Sequence, residues 1–217
     1  MAFAATVFAG FARTYYLRPQ FQTTSLPLYL HVHGFVFTAW IALFLTQTTL
    51  VAARRTDVHR RLGWIAAGWA PLMAVAAMTA AILSGQRAVA AGHADEARTF
   101  LAVPMSSVLV FLTLIGFALW RRRHPETHKR LMMLATIGIL DAAVARWPLE
   151  LVAATPWAYF VVTDAFIAIG IAYDLLLRRR IHPAYVWGGL LTLCGQLSRD
   201  IVGPTAVWHA FARLLIG

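Results

Sequence analysis

Long apolar runs are the feature that most constrains the fold of this chain. Residues 28–53 read LYLHVHGFVFTAWIALFLTQTTLVAA, and further apolar runs follow along the sequence. About 20 apolar residues in a helix cross the hydrocarbon core of a bilayer. The chain has 60% hydrophobic and 13% charged residues, whereas soluble domains carry about a quarter charged residues. The sequence therefore predicts an all-α integral membrane protein.

The runs predict about seven transmembrane helices within a single membrane domain covering residues 1–217. The first run is short and contains Arg13, and the tail after Gly203–Pro204 has apolar residues at helical spacing. That spacing predicts a C-terminal helix in the membrane interface. The polar stretch 84–99 is predicted to lie outside the membrane. The predicted spans are residues 2–17, 28–53, 62–83, 100–120, 131–152, 157–177 and 184–197.

The basic residues are concentrated in three connections between predicted helices. The net charge is +10, and twelve of the nineteen Lys and Arg residues follow the second, fourth and sixth runs. This alternation is typical of the positive-inside rule, which places the N-terminus in the cytoplasm and the C-terminus in the periplasm of a bacterial inner membrane. It favours a lipid bilayer over nucleic acid as the partner. The single cysteine, Cys194, excludes an internal disulfide.

A repeated turn links the predicted helices into hairpins. RRTDVHRRLG at 54–63 and RHPETHKRLM at 123–132 are 69 positions apart, so His59 aligns with His128 and Arg61 with Arg130. Predicted helices 2–3 and 4–5 therefore form two copies of one hairpin, and helices 6–7, after RRRIHP at 178–183, form a looser third copy. Hairpins in the same orientation indicate a parallel repeat.

Four histidines are candidate ligands of a haem or a metal. His59 and His128 begin helices at the same predicted depth beside arginines, which suits a b-type haem or, alternatively, contacts with lipid phosphates at helix starts. His31 and His33 lie near the outer end of the second run. Because two residues turn the side chain by about 200° in a helix, at most one of them would face a metal, together with Asp164.

Charged residues within the apolar runs predict a polar cleft in the outer half of the bundle. Asp141, Arg146, Glu150 and Asp164 lie in the fifth and sixth runs, and Tyr15 lies in the first. Charge inside hydrocarbon faces a partner or a cavity. The cleft would bind or pass a small ligand or ion, and the alternative is a set of structural ion pairs. The seventh run and the residues directly after it add Gln196, Arg199 and Asp200 at the same outer depth.

No motif of a hydrolase, a phosphate-binding loop or a zinc protease occurs in the sequence, which favours a role other than catalysis. A structural subunit of a membrane complex, with purely structural charges, is a further alternative. The cofactor and any homo-oligomeric state stay open.

The motifs HGFVFTAW, HRRLGW and HKRLMM, spread over about residues 11–208, resemble those of an uncharacterised family of bacterial polytopic inner-membrane proteins. This resemblance implies six or seven helices with no appended soluble domain, and it transfers no catalytic residue. The histidines near helix ends give a weaker resemblance to cytochrome b561-type haem proteins. Because His31 and His33 lack a histidine partner in a facing run, that resemblance implies at most one haem, held by His59 and His128.

Overall fold

The computed structural model describes residues 1–22, 24–148 and 158–217, and this part of the chain is helical without a strand. Helix makes up 85% of these described residues, which confirms the all-α prediction. A π-helical turn, Ala12–Tyr16, separates the first two helices. The helices are α1 (Ala2–Phe11), α2 (Arg18–Phe21), α3 (Leu28–Ala52), α4 (Thr56–Ala90), α5 (Ala94–Phe100), α6 (Ala102–Trp120), α7 (Pro125–Gly138), α8 (Asp141–Val144), α9 (Ala158–Arg178), α10 (Pro183–Val202) and α11 (Ala206–Ile216).

Four helical stretches in the described residues are long and apolar enough to cross a membrane. They are Leu28–Ala52, Thr56–Ala90, Ala94–Trp120 and Ala158–Arg178. The protein is therefore a multi-pass membrane protein by the length and composition of its helices. The count of seven spans stays a prediction, as do the single domain and the orientation of the termini.

Two predicted boundaries differ from the structure. The predicted polar stretch 84–99 is largely helical, because α4 continues to Ala90 and α5 begins at Ala94. Gln86 in this continuation donates from Nε2 to the carbonyl oxygen of Leu215 at 3.1 Å, so the C-terminal helix supports it. The predicted span 131–152 is interrupted, because α7 ends at Gly138 and a turn precedes α8. Its last residues, 149–152, lie outside the described residues.

The described chain divides into two compact units. Unit 1 comprises Met1–Ser25 and Thr113–Thr192, and unit 2 comprises Leu26–Leu112 and Leu193–Gly217. In unit 1, α8 packs against both α1 and α9, and α9 also packs against α7. A Cβ atom added at Gly10 of α1 would collide with the backbone carbonyl of Ala143 in α8. Glycine is therefore what lets these two helices come so close.

Unit 2 is built on the hairpin of α3 and α4. The indole Nε1 of Trp69 donates to the carbonyl oxygen of Val36 at 2.9 Å, and the buried ring of Trp40 meets Phe111 edge-on, with ring centroids 5.3 Å apart. The hydrogen bond of Trp69 therefore joins the two helices of the hairpin and satisfies the indole, and the contact of Trp40 with Phe111 packs α3 against α6.

The C-terminal helix of unit 2, α11, packs on α4 and α5. Thr205 caps it by accepting from the backbone N–H of Trp208 at 3.2 Å, and its buried residues are Ala212 and Ile216. The indole of Trp208 donates to the carbonyl oxygen of Arg98 at 2.7 Å. Sequence spacing identified this helix, and the structure adds a protein surface that it covers.

Candidate functional site

A buried ion pair lies at the centre of a polar cluster in unit 1. The guanidinium of Arg130, on α7, donates from Nε to Oδ2 of Asp174 at 2.8 Å and from Nη2 to Oδ1 of the same carboxylate. Arg130 is 2% exposed and Asp174, on α9, is 1% exposed. Two parallel hydrogen bonds between a guanidinium and a carboxylate give strength and a fixed geometry. The pair therefore holds α7 and α9 in one register.

Glu126 and Arg178 extend this pair towards solvent. The carboxylate of Glu126 accepts from Nη1 of Arg130 at 2.7 Å and lies 2.5 Å from Nη2 of Arg178 and 2.9 Å from Nζ of Lys129. These cations, chiefly Arg130, lower the pKa of Glu126 to about 2. We call Glu126, Arg130, Asp174 and Arg178 the ion-pair cluster. Its charges largely neutralise one another, so it functions as a clamp between helices.

Tyr185, on α10, covers the buried guanidinium. The Arg130 Cζ atom lies 5.6 Å from the centroid of the Tyr185 ring, within the range of a cation–π interaction. Space for this ring comes from Gly170 of α9, where an added Cβ atom would approach Cζ of Tyr185 to 2.8 Å. The cluster therefore brings together three helices of unit 1.

His182 sits beside the ion-pair cluster and caps α10. Its Nδ1 accepts from the backbone N–H of Ala184 at 3.1 Å, and its own backbone N–H lies 3.4 Å from Oδ2 of Asp174. Burial, and then the charge of Arg130, lower the pKa of His182 below 6.5. The ring is therefore neutral at pH 7, and it must be neutral for Nδ1 to accept a hydrogen bond.

The two copies of the repeated turn differ in the environment of their arginines. Arg130 is buried, whereas the aligned Arg61 is exposed. His59 and His128 are each the fourth residue of their helices, α4 and α7, and both are half-buried. They belong to different units.

The tautomer of His128 is set by the backbone. Its Nδ1 lies 2.9 Å from the carbonyl oxygen of Ala118. Since a carbonyl oxygen can only accept, Nδ1 carries a proton and donates it to this oxygen. This is the state of a histidine that ligates a metal through Nε2.

The predicted histidines of α3 lie on a partly exposed surface. His31 is exposed and His33 is half-buried, and the His33 ring stacks on Phe37 with centroids 4.3 Å apart. No group of three or more His, Cys, Asp or Glu side chains that could hold a metal ion occurs in residues 1–22, 24–148 and 158–217. The metal prediction at His31 or His33 therefore has no structural support in these residues.

The predicted cleft residues of unit 1 have varied surroundings. Asp141 is buried and Asp164 is half-buried. Arg146 is exposed, donates from Nη1 to the carbonyl oxygen of Ala142 at 2.6 Å, and lies over the Phe11 ring at 5.0 Å. No carboxylate of the described chain forms an ion pair with it. The alternative of a structural ion pair between Arg146 and Asp141 or Asp164 is therefore not seen.

Tyr15 and Glu150 are the other two predicted cleft residues. Tyr15 meets the Tyr16 ring edge-on at 5.2 Å. Glu150 lies outside the described residues.

A buried arginine in unit 2 is hydrogen-bonded to two serines that the sequence did not indicate as site residues. Arg199, on α10, is 6% exposed. Its Nε donates to Ser106 Oγ at 3.1 Å and its Nη2 donates to Ser107 Oγ at 3.2 Å. Both serine hydroxyls donate in turn to the carbonyl oxygen of Val103, at 3.0 and 2.9 Å. We call Arg199, Ser106 and Ser107 the arginine–serine site.

Comparison with family models, with curated proteins and with solved structures finds no match for this chain. Its class therefore rests on the helices and side chains described above. They define a multi-pass, all-α membrane protein with buried charges in both units.

Proposed function

We propose that this chain is a multi-pass protein of a bacterial inner membrane that binds or passes a small anionic ligand. The arginine–serine site is the contact group for the anion. The basic turns face the cytoplasm and the site lies in the outer half of the bundle, as the positive-inside rule requires. Asp141, Asp164 and Arg146 remain proposed cleft residues of unit 1.

The observation that carries the proposal is the burial of Arg199 beside two hydroxyl groups. A charge buried among the helices of a membrane protein is costly and marks a functional site or a structural partner. Arginine presents a planar fork of donors that suits carboxylates, sulfate and phosphate, and serine hydroxyls can rotate to donate to the same anion. Two helices, α6 and α10, supply these groups within one unit.

The depth of the site fits an opening on the side away from the basic turns. Arg199 lies 16 residues after Pro183, where α10 begins, which corresponds to about 24 Å along a helix. Ser106 lies 14 residues before Trp120, where α6 ends, or about 21 Å by the same rise. Each group is therefore remote from the basic turn of its own helix.

A thermal-shift panel tests this proposal. Purified protein would be melted with acetate, succinate, sulfate or phosphate at constant ionic strength. A bound anion at 100 times its dissociation constant stabilises the folded state by about 2.7 kcal/mol. We expect at least one anion to raise the Tm of wild type and of Arg60→Gln, but not of Arg199→Gln. Arg60 is exposed in α4, so its variant controls for the change in net charge. An equal response of both variants contradicts the proposal.

A b-type haem ligated by His128 is the second candidate function, and the hydrogen bond between His128 Nδ1 and the Ala118 carbonyl oxygen is the observation that favours it. Protein purified from its native membrane should then show a Soret band. The band should be lost or altered in His128→Ala and should remain unchanged in His124→Ala, whose histidine is exposed. Colourless wild-type protein from cells that make haem contradicts this candidate.

A further inference from the structure

Two arginines adopt a backbone conformation that normally favours glycine. Arg54 has φ of 59° and Arg179 has φ of 56°, and no other non-glycine residue in the described part of the chain has positive φ. In this left-handed region the Cβ atom crowds the backbone, and glycine is the usual residue there at the end of a helix. The backbone N–H of Arg54 donates to Val51 and that of Arg179 donates to Leu175. Both arginines therefore terminate a helix under local strain.

Each of the two arginines follows the C-terminal end of a long apolar helix. Arg54 follows α3 and Arg179 follows α9, and both helices are candidate membrane spans. Side chains kept in strained positions indicate a requirement for that side chain. Since glycine would relieve the strain and remove the whole arginine side chain, we infer that its charged guanidinium is the required group.

The surroundings of Arg179 carry a large excess of positive charge. The ends of α7 and α9 are held together by Arg178 and Glu126, so the basic turns 121–124 and 178–182 lie at one end of unit 1. The two carboxylates there, Glu126 and Asp174, are occupied by Lys129 and the arginines of the ion-pair cluster. Arg179 and its exposed neighbour Arg180 form no ion pair in the described chain.

Arg54 has similar surroundings in unit 2. It is exposed, as are Arg55, Arg60 and Arg61 of the same turn, and Asp57 is the acidic residue between them. No ion pair of Arg54 occurs within the described residues. An anion from outside the chain can therefore reach either arginine.

Exposed aromatic side chains place the turn near Arg179 at the depth of lipid headgroups. Trp120 is 67% exposed, Tyr173 is 59% exposed and Trp187 is 73% exposed, and the Arg121 guanidinium lies 4.7 Å from the centroid of the Trp120 ring. Tryptophan and tyrosine are enriched where membrane helices meet the headgroup region. The abundant anion at that depth is the phosphodiester of an anionic phospholipid.

We propose that Arg54 and Arg179 each bind the phosphodiester headgroup of an anionic phospholipid. The guanidinium donates to two phosphate oxygens in a bidentate contact. The exposed arginines beside it in the turn add longer-range attraction to the anionic surface. The left-handed backbone of the binding arginine ends the helix, so the chain turns away from the helix axis at this residue.

Arg179→Gly tests the proposal through its Tm in two lipid compositions. In nanodiscs of phosphatidylcholine alone, the variant should melt about 2–4 °C above wild type because the backbone strain is removed. Replacing part of the lipid with phosphatidylglycerol should raise the Tm of wild type by more than that of Arg179→Gly. Arg54→Gly should behave in the same way.

Two variants and one soluble anion act as controls. Arg180→Gly removes the neighbouring charge at a residue without positive φ, so it should not raise the Tm in phosphatidylcholine. Arg179→Lys keeps the charge and should retain most of the response to phosphatidylglycerol. Glycerol phosphate at the same ionic strength should give no comparable rise in Tm.

Three results would overturn the proposal. A full phosphatidylglycerol response in Arg179→Gly and in Arg54→Gly would show that neither arginine binds the headgroup. A lower Tm of both glycine variants in phosphatidylcholine would assign the arginines a structural role at the helix C-terminus. An equal rise with glycerol phosphate would assign the site to a soluble phosphate.

Discussion

Arg130 and Asp174, 44 positions apart, meet through two parallel hydrogen bonds in the interior of unit 1. Both side chains are almost completely buried. The pair holds α7 against α9, and Tyr185 of α10 covers it. Its energetic role follows from the difference between breaking a buried ion pair and replacing it.

Breaking this pair from one side should be strongly destabilising. Asp174→Leu removes the buried carboxylate and leaves only the partly exposed Glu126 beside the Arg130 charge, which should lower the free energy of unfolding by about 3–5 kcal/mol. The double variant Arg130→Met/Asp174→Leu should recover most of that loss because no buried charge remains. Equilibrium unfolding in mixed micelles measures both. Arg61→Met changes the aligned, exposed arginine and should stay within about 0.5 kcal/mol of wild type. Additive effects in the double variant would contradict this account.

Acid should destabilise unit 1 through His182. Because its pKa is lowered below 6.5 in the folded protein, the unfolded state binds a proton first as the pH falls. The contribution to stability is therefore present above pH 6.5 and is lost as the pH falls through the folded pKa. Protonation also removes the acceptor for the Ala184 N–H. Unfolding measured from pH 7.5 to 5 tests this expectation.

Asparagine offers a matched test of the same effect, because it can cap a helix without titrating. His182→Asn should flatten the decline in stability below pH 6.5. His124→Asn changes a helix-capping residue that makes no side-chain cap bond, and it should leave the decline unchanged. If the two variants show the same pH profile, His182 is not the titrating group.

Glu126 should add a second acid transition at lower pH. Its folded pKa of about 2 lies below the ordinary value of 4.5, so its contribution is present above pH 4.5 and is lost as the pH falls towards 2. Since Glu126 is partly exposed, solvent screening makes this contribution modest. Glu126→Gln should reduce the loss of stability in this window and leave the transition that depends on His182 in place.

The approach of α1 to α8 should not tolerate a methyl group. Gly10→Ala places a Cβ atom against the Ala143 carbonyl, and this overpacking should cost about 1–3 kcal/mol. Gly68 is the matched control, because a Cβ atom there meets nothing within 4 Å. Gly68→Ala should be neutral or should gain up to about 1 kcal/mol from helix propensity. Equal effects of the two alanines would contradict the close packing of α1 on α8.

The indole of Trp208 should anchor the C-terminal helix. Trp208→Phe removes the 2.7 Å hydrogen bond to the Arg98 carbonyl and should cost about 0.5–1.5 kcal/mol. Amide exchange of residues 206–216 should become faster as α11 opens more often. Trp187→Phe changes a tryptophan that is 73% exposed and should leave this exchange unaltered.

Helix type and position were predictable from the sequence, because apolar length is a local property. The prediction 157–177 agrees with α9 to within a residue at each end. Sequence patterns did not predict where a helix continues beyond its apolar run. Residues 84–90 looked polar, yet contacts such as Gln86 with Leu215 keep them helical.

The partners of buried charges were not predictable, because they depend on long-range pairing. Arg130 looked like one more basic residue of a turn, and only Asp174 distinguishes it from Arg61. An acidic residue within the apolar sixth run was the available signal. Ser106 and Ser107 carried no signal at all, since serine is unremarkable in a helix until an arginine lies beside it.

Accessibility of Ser106 to water tests the proposed ligand site most directly. Cys194 is the only cysteine, so Ser106→Cys in a Cys194→Ala background carries a single thiol. We expect membrane-impermeant thiosulfonates added outside sealed spheroplasts to label it. The sulfonate-bearing reagent should react faster than the trimethylammonium one, because Arg199 attracts anions. Val161→Cys, at an exposed apolar position of α9, should stay unlabelled. A Ser106→Cys thiol that reacts only after unfolding, or that prefers the cationic reagent, would contradict a water-accessible anion site at Arg199.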